Sequence, residues 1–228
     1  MGAPLILWFR RDLRLGDHPM LAAAVASGRP VLPVFVLDDE TEALGTAAKW
    51  RLGLGLAQFA ETLAGIGSRL ILRRGAALPV LQGLVADVGA AGVLWQRQYD
   101  PAAQARDAAV KAALRAQGLQ AESFAGALLV EPWEVSTGAG GFYKVYTPFW
   151  RAVAASGVAP PVPAVTRLRT PSVWPASEDL QDWALGAAMR RGAAVVLPYQ
   201  RVGEAAALDR LAEFVAGPIR GYAAERDQ

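Results

Sequence analysis

Side chains able to do chemistry are sparse in this chain, and they gather at one place. Arg10-Arg11-Asp12-Leu13-Arg14 sets three guanidiniums around one carboxylate directly after an apolar run. Guanidinium forks grip carboxylates and phosphates bidentately, so the cluster suits either a surface ion-pair network or a ligand rim or interdomain clamp. His18, the single histidine, stands beside Pro19 at an expected helix start, where an exposed or capping role is expected before a catalytic one. With no cysteine and one imidazole, thiol nucleophiles, disulfides and Cys/His zinc sites are excluded. Carboxylate metal sites stay open. Gly138-Ala-Gly-Gly141 lacks the Lys-Ser/Thr of a phosphate loop and is expected to form a hairpin turn. Gly53 and Gly55 interrupt a helical pattern at about 1 kcal/mol each relative to alanine. Close packing against a ligand or helix would account for them, and so would simple tolerance.

The first half of the chain has the pattern of a scaffold for such groups. Short apolar runs at Leu5–Phe9, Val31–Leu37, 69–72, 92–95 and Gln120–Phe124 alternate with segments of helical period, which read as strands and helices in turn. Asp17 is expected to cap the first helix, with Pro19 in its first turn. Thr46 opens a long helix ending near Gly65 and Gly67, and 77–88 forms a third. Asp100-Pro101 opens a fourth, with the acid at the cap and proline where its missing N–H costs nothing, and the helix stops at Gly118. Five strands joined by four helices imply right-handed crossovers. The expected fold is therefore α/β, a doubly wound five-stranded parallel sheet over residues 1–131, covered on both faces. Ligands of such sheets lie beyond the carboxyl ends of the strands, which selects segments 10–17, 38–48, 73–77 and 96–101.

After Glu131-Pro132 the pattern changes. Residues 132–203 read as a long connector, aromatic at 142–151, proline-dense from Pro160 to Pro175, and holding one helical turn around 178–185. The helical period returns at 204–215 with an apolar stripe of Ala207, Leu208, Leu211 and Phe214 or Val215, so 204–228 is expected to be a short helical segment. An apolar fraction of 53% against 19% charged residues allows a large core and excludes disorder for most of the chain. The net charge of +2 does not by itself predict nucleic-acid binding. No apolar run approaches the roughly 18 residues of a membrane span. The order of apolar residues and then Arg10-Arg11-Asp12 is wrong for a secretory signal, so a cytoplasmic chain is expected.

Leu7-Trp8-Phe9-Arg10-Arg11-Asp12-Leu13-Arg14-Leu15-Gly16-Asp17-His18-Pro19 resembles the opening signature of the DNA photolyase and cryptochrome family, class I type. Further matches come in order: Pro33-Val-Phe-Val-Leu37-Asp38, Gly45-Thr-Ala-Ala-Lys49-Trp50-Arg51-Leu52, Ser68-Arg-Leu-Ile-Leu-Arg-Arg-Gly75, and Trp95-Gln-Arg-Gln-Tyr99-Asp100-Pro101 with Ala105-Arg106-Asp107. Leu128-Leu-Val-Glu-Pro132, Tyr143-Lys-Val-Tyr146-Thr147-Pro148-Phe149-Trp150, Gly203-Glu204-Ala205-Ala206-Ala207-Leu208 and Tyr222-Ala-Ala-Glu-Arg226-Asp227 complete the series.

The resemblance implies an antenna-binding α/β domain, a connector, and a helical domain that holds FAD and a flipped-out pyrimidine dimer in damaged DNA. Reduced FAD, excited by blue light, donates an electron that splits the dimer, and the lesion must leave the stack to meet it. On the family pattern the chain stops before the T-S-x-L-S-P motif of the FAD domain, so the fragment is expected neither to repair nor to bind DNA strongly. Tyr222 matches a contact to the FAD phosphates and Arg226 one to the DNA backbone. A deazaflavin or FMN antenna would map to Val36, Leu37 and Asp38, to Lys49, and to Gln98, Asp100 and Arg106, while Arg11 and Asp12 tie the first loop to its neighbours. Ala102 and Ala103 stand where folate-binding members carry Asn-Glu, which disfavours methenyltetrahydrofolate in that mode. Gly53, Gly55, Ala76 and Gln96 depart from the usual residues and either widen the pocket or mark loss of the antenna. A cryptochrome parent shares this half equally. A nucleotide-binding module would need a phosphate loop after the first strand, and a scaffold that has lost its chromophore is the third reading. Truncation leaves the 204–215 stripe uncovered, so self-association is expected.

Overall fold

The computed structural model describes residues 2–227, so Met1 and Gln228, at the ends of the expected segments, lie outside the described residues. Strands β1 (Leu5–Phe9), β2 (Val31–Leu37), β3 (Ile71–Arg74), β4 (Gly92–Gln96) and β5 (Gln120–Phe124) pair in parallel in the order β3-β2-β1-β4-β5. The register places Leu5 opposite Val31 and Gly92, Val34 opposite Ile71, and Gly92 opposite Gln120. β1 and β2 are buried at every residue, as strands covered on both faces must be. Helices α1 (Pro19–Ala26), α2 (Asp39–Glu42), α3 (Thr46–Gly65), α4 (Ala77–Val88) and α5 (Pro101–Ala116) supply the crossovers and the strand-end turns.

Side chains of a strand alternate between faces, and the core divides accordingly. Leu5, Leu7 and Phe9 of β1 join Phe35 and Leu37 of β2, Met20 and Leu21 of α1, and Leu56, Phe59 and Leu63 of α3. Ile6 and Trp8 join Val34, Val93 and Trp95 with Leu81 and Leu84 of α4 and Val110 and Leu114 of α5 on the other face. Trp8 and Trp95 meet edge to face at 5.9 Å.

Several boundaries move from their expected places, β3 ending at Arg74 rather than at residue 72 and β4 at Gln96 rather than at residue 95. β3 begins at Ile71 rather than at residue 69, because its pairing with β2 starts at Val34; Arg69 lies before it and stacks on Trp174 at 4.4 Å. The cap of α1 falls on His18, while Asp17 adopts a φ of 46° and its carboxylate accepts the Val162 N–H. Asp100 does precede Pro101 at the start of α5, but its side chain makes no capping hydrogen bond there.

The connector is more ordered, and more embedded, than its composition suggests. Helix α6 (Tyr146–Ser156) occupies part of the aromatic stretch, α7 (Arg191–Val196) forms, and single 3₁₀ turns lie at Gln181–Trp183, Ala187–Met189 and Leu197–Tyr199. Leu168, Trp183 and Leu185 insert into the α3-side core, with Trp183 lying 6.0 Å from Phe35. Along the free edge of β3 the connector satisfies exposed backbone groups. Leu72 N–H donates to Ser177 Oγ at 3.0 Å, Leu72 C=O accepts from Glu178 N–H at 3.0 Å, and Arg74 N–H donates to Glu178 Oε1 at 2.8 Å. An edge strand is thereby covered against pairing with another chain. Helices α8 (Glu204–Ala216) and α9 (Tyr222–Glu225) complete the chain, neither with a buried residue.

Candidate functional site

The cluster after β1 is only partly a surface network, because Arg10 and Asp12 are inside the fold. Arg10 is buried; its NH1 donates to both oxygens of Asp107 at 3.2 Å and its NH2 to the Gln96 carbonyl. Burial pushes the guanidinium pKa down, against the opposing pull of Asp107 and Asp12. Asp12 Oδ1 accepts the Arg10 N–H at 2.8 Å, and Oδ2 lies 3.1 Å from Nε2 of His18. Burial alone would raise the Asp12 carboxyl, but His18 and Arg10 outweigh it and hold the carboxyl below its usual range. His18 is itself buried and meets Phe9 edge-on at 5.5 Å, so it is an internal partner of Asp12 at the cap of α1, not the exposed residue its proline neighbour suggested. Arg14 donates to the carbonyls of Gly16, Asp17 and Gly126, tying the β1–α1 loop to the chain after β5. Arg11 reaches outward to Asp100 at 3.3 Å in an exposed pair.

Arg106 on α5 is the hub of the strand ends. Its NH1 donates to Asp38 at 2.7 Å and Glu40 at 3.1 Å, its NH2 to Gln98 Oε1 at 2.9 Å, and its Nε to Asp107 at 3.1 Å. One planar fork thus links the carboxyl ends of β2 and β4 to α5. Trp8 lies beneath, with the Arg10 and Arg106 guanidiniums 4.3 and 4.9 Å from its ring centre.

A cavity of about 950 Å³ opens over these strand ends. Leu13, Phe35, Leu44, Leu52, Gly55, Val162, Ala207 and Leu208 give it an apolar wall, and Gln98 and Arg106 a polar edge. Among the described residues that line it are five arginines (Arg10, Arg11, Arg14, Arg51, Arg106) against three acids (Asp17, Glu40, Glu204). A second, more polar cleft of about 560 Å³ lies between the ends of β1 and β4, with Arg97, Tyr99 and Asp100 on its wall. Tyr99 Oη donates to the buried Glu131 at 2.5 Å, and burial together with that carboxylate pushes the phenol up to about 12.

The residues expected at an antenna do not all reach the cavity. Gln98 and Arg106 line it, and Asp38 stands behind Arg106 while capping α2 through the Thr41 N–H at 3.0 Å. Val36 and Leu37 are buried at the end of β2, beyond its pairing with β1 and opposite Arg73 and Arg74 of β3. Lys49 turns to Glu42, 3.6 Å from its carboxylate and 3.1 Å from its carbonyl. Asp100 faces the second cleft. Tyr222 is half-exposed against Phe214, and Arg226 is exposed beside Asp227. Of the two helix glycines, Gly55 lines the cavity with space for a side chain, the nearest atom to an added Cβ being Leu13 Cδ1 at 3.5 Å, while Gly53 packs on Leu185. Leu13 and Leu44 fall within the strand-end segments 10–17 and 38–48 that the sequence selected, whereas Arg51, Phe35 and Glu204 were not among its site residues; for Glu204 the glycine-acid pair Gly203-Glu204 before an apolar helix was the available signal. Among the described residues no cluster of three or more His, Asp or Glu is placed to hold a metal, and no helix is long and apolar enough to cross a membrane.

The fold and the cavity together define a doubly wound α/β unit with a ligand-sized site at its strand ends, extended by a connector and a terminal helical segment. A model of the DNA photolyase family matches residues 5–167, and the chain belongs to that family. It is 43% identical over 227 residues to a deoxyribodipyrimidine photo-lyase of Agrobacterium fabrum, covering 99% of this chain and 47% of that protein. It is 39% identical over 153 residues to cryptochrome-1 of Arabidopsis thaliana, covering 65% of this chain and 22% of that one. The crystal structure of a bacterial class III photolyase from Agrobacterium tumefaciens superposes with a TM-score of 0.95 at 42% identity, over all of this chain and 47% of that one. The chain therefore spans about half the length of the photolyase it matches. Class III is the description that structure carries, where the motifs suggested class I; the family is common to both.

Proposed function

We propose that this chain is the light-harvesting half of a photolyase-type flavoprotein, an α/β unit that holds a planar antenna chromophore and leads into a helical, FAD-binding region. The cavity of about 950 Å³ at the ends of β1 and β2 carries the reading. Its size lies within the roughly 300–1,000 Å³ range of small-molecule sites, and apolar walls with a few convergent polar groups suit a fused aromatic ring. Gln98 offers its amide at the ring edge, and the exposed Arg11 and Arg51 at the cavity suit a phosphate-bearing tail such as that of FMN. A deazaflavin fits the same chemistry. When bound, such a group absorbs light and passes the excitation on; the chain's own residues bind it, orient it and exclude water.

FAD and damaged DNA are partners of the longer protein. Tyr222 and Arg226 fit contacts to phosphates in type, but both stand half-exposed or exposed here, outside the large cavity and the polar cleft. Repair of cyclobutane pyrimidine dimers is proposed for the longer protein, not for this chain by itself. Placement in the cytoplasm is part of the same proposal. A cryptochrome photoreceptor is the second reading, supported by the 39% identity to cryptochrome-1.

Fluorescence titration of the 228-residue chain with FMN, a deazaflavin and methenyltetrahydrofolate tests the antenna reading. Saturable binding of a flavin-like ring, weakened by Gly55→Leu, supports it; no binding by any of the three refutes it. Dimer reversal by the chain alone under blue light would refute its assignment as a half without repair activity.

A further inference from the structure

The β1–α1 loop is held by an acid from the far end of the chain. Glu204 Oε2 accepts the Leu15 N–H and Glu204 Oε1 the Gly16 N–H, each at 2.7 Å. Both oxygens of one carboxylate thus take consecutive backbone amides in charge-assisted hydrogen bonds. The close approach has a steric requirement on each side. A Cβ on Gly16 would lie 2.6 Å from Glu204 Oε1, and one on Gly203, whose φ is 95°, would lie 2.6 Å from Gln58 Cγ on α3. Gly203 needs glycine for its positive φ, whereas a side chain at Gly16 would be accommodated by displacing the Glu204 carboxylate.

The same loop is bonded to the connector. Asp17 N–H donates to the Val162 carbonyl at 2.8 Å, Val162 N–H donates to Asp17 Oδ1 at 3.1 Å, and Val165 N–H donates to the Leu15 carbonyl at 3.3 Å. Gly16, Val162, Glu204 and Leu208 all line the large cavity, so loop, connector and helix meet at its mouth. Yet α8 buries no residue, and Leu208, Leu211 and Val215 are each more than half exposed. A 13-residue helix with so little packing is marginal in water. Its attachment must come from particular contacts, and Glu204 makes two of the shortest.

We propose that Glu204 is the latch that holds helix α8 and the adjoining connector over the cavity, so that docking of this strap and occupancy of the cavity are coupled. The coupling rests on the antenna reading; the latch does not. A ligand that contacts the strap and the strand ends together binds the docked form better, and by reciprocity it must then favour docking by the same factor. An acid that served only the dipole of its own helix would stabilise the first turn of α8 and leave the loop amides indifferent.

Amide exchange by NMR and FMN titration on the 228-residue chain test the proposal in the unsubstituted protein, Glu204→Ala, Gly16→Ala and the double variant. Expected are exchange at Leu15, Gly16 and along α8 faster by about tenfold in Glu204→Ala, and FMN binding weaker by about the same factor. Gly16→Ala should reproduce both effects by pushing the carboxylate away, and the double variant should add little to either single one. Ala212→Ser, exposed on the same helix, should change neither. If Glu204→Ala fails to fold, Glu204→Gln and Gly16→Ala carry the same reading. Unchanged α8 exchange in Glu204→Ala, or fully additive single effects, overturns the latch; equal FMN affinity with and without Glu204 overturns the coupling. If the unsubstituted chain takes no FMN, the antenna reading fails and the latch stands or falls on the exchange of α8.

Discussion

The chain carries two regions of similar hydrophobic character and opposite fate. In the α/β unit, β1 and β2 are buried at every position and the helices cover both sheet faces. In the C-terminal region, α8 and α9 bury nothing, and Trp133, Phe142, Tyr146, Leu211 and Val215 are exposed. The contrast teaches that apolar content does not make a core; mutual coverage does. The first region closes its own core. The second lends it Leu168, Trp183, Leu185 and one carboxylate, and otherwise leaves its apolar residues exposed.

Substitutions can break or sharpen that contrast. The largest effect should come from Phe59→Ala on α3, which removes a ring lying 4.8 Å from Phe9 and should cost about 3–5 kcal/mol in urea denaturation. If Leu211→Ala cost as much, the two regions would not differ in coverage. Asp12→Asn comes next, at about 3 kcal/mol near neutral pH, because it removes a buried negative charge beside the buried Arg10 guanidinium and the carboxylate that faces His18. The sign with pH comes from a folded-state carboxyl held below its usual value. Its contribution is present above the unfolded pKa near 3.8 and is lost as pH falls through the lower folded value. The unsubstituted chain should therefore lose melting temperature more steeply in acid than Asp12→Asn.

Tyr99 tests the junction between the regions. Its phenol is raised from 10.0 to about 12, so its contribution is complete below pH 10 and disappears as pH rises toward 12. Tyr99→Phe should flatten that alkaline loss in a thermal scan, with a small effect at neutral pH. The smallest change in stability, under about 0.5 kcal/mol, is expected for Leu211→Ser on the exposed face of α8. Its signature should be elsewhere. If α8 is the surface for self-association, sedimentation at high concentration should show the unsubstituted chain associating and the variant less so.

Much of the first region was legible because its signals are local. Leu5–Phe9 and Val31–Leu37 are continuous apolar runs, and a strand buried on both faces needs such a run. The long helix from Thr46 to Gly65 and the proline at the start of α5 were equally readable. The start of β3 was not, since Arg69 and Leu70 are as strand-compatible as Ile71 and Leu72, and only pairing with Val34 decides between them. Helix α6 was missed because its stretch carries Pro148 and aromatic residues that obscure the helical period. The burial of His18 was missed for a different reason. A histidine beside proline is ordinarily exposed, and nothing nearby in sequence reveals that Asp12 will face it.

Sequence alone determined the order of strands and helices in the first region and the family, since periodicity, capping residues and motif order are properties of neighbours along the chain. Tertiary structure decided which of the candidate residues share a cavity. It turned Lys49 away to Glu42, spent the donors of Arg106 on Asp38, Glu40, Gln98 and Asp107, and brought Glu204 to the amides of Leu15 and Gly16. Those partners lie from 8 to 189 positions apart except for the adjacent Asp107 and the Lys49–Glu42 pair, and a hydrogen bond depends on the final separation of two atoms in space, which the spacing of residues along the chain does not contain.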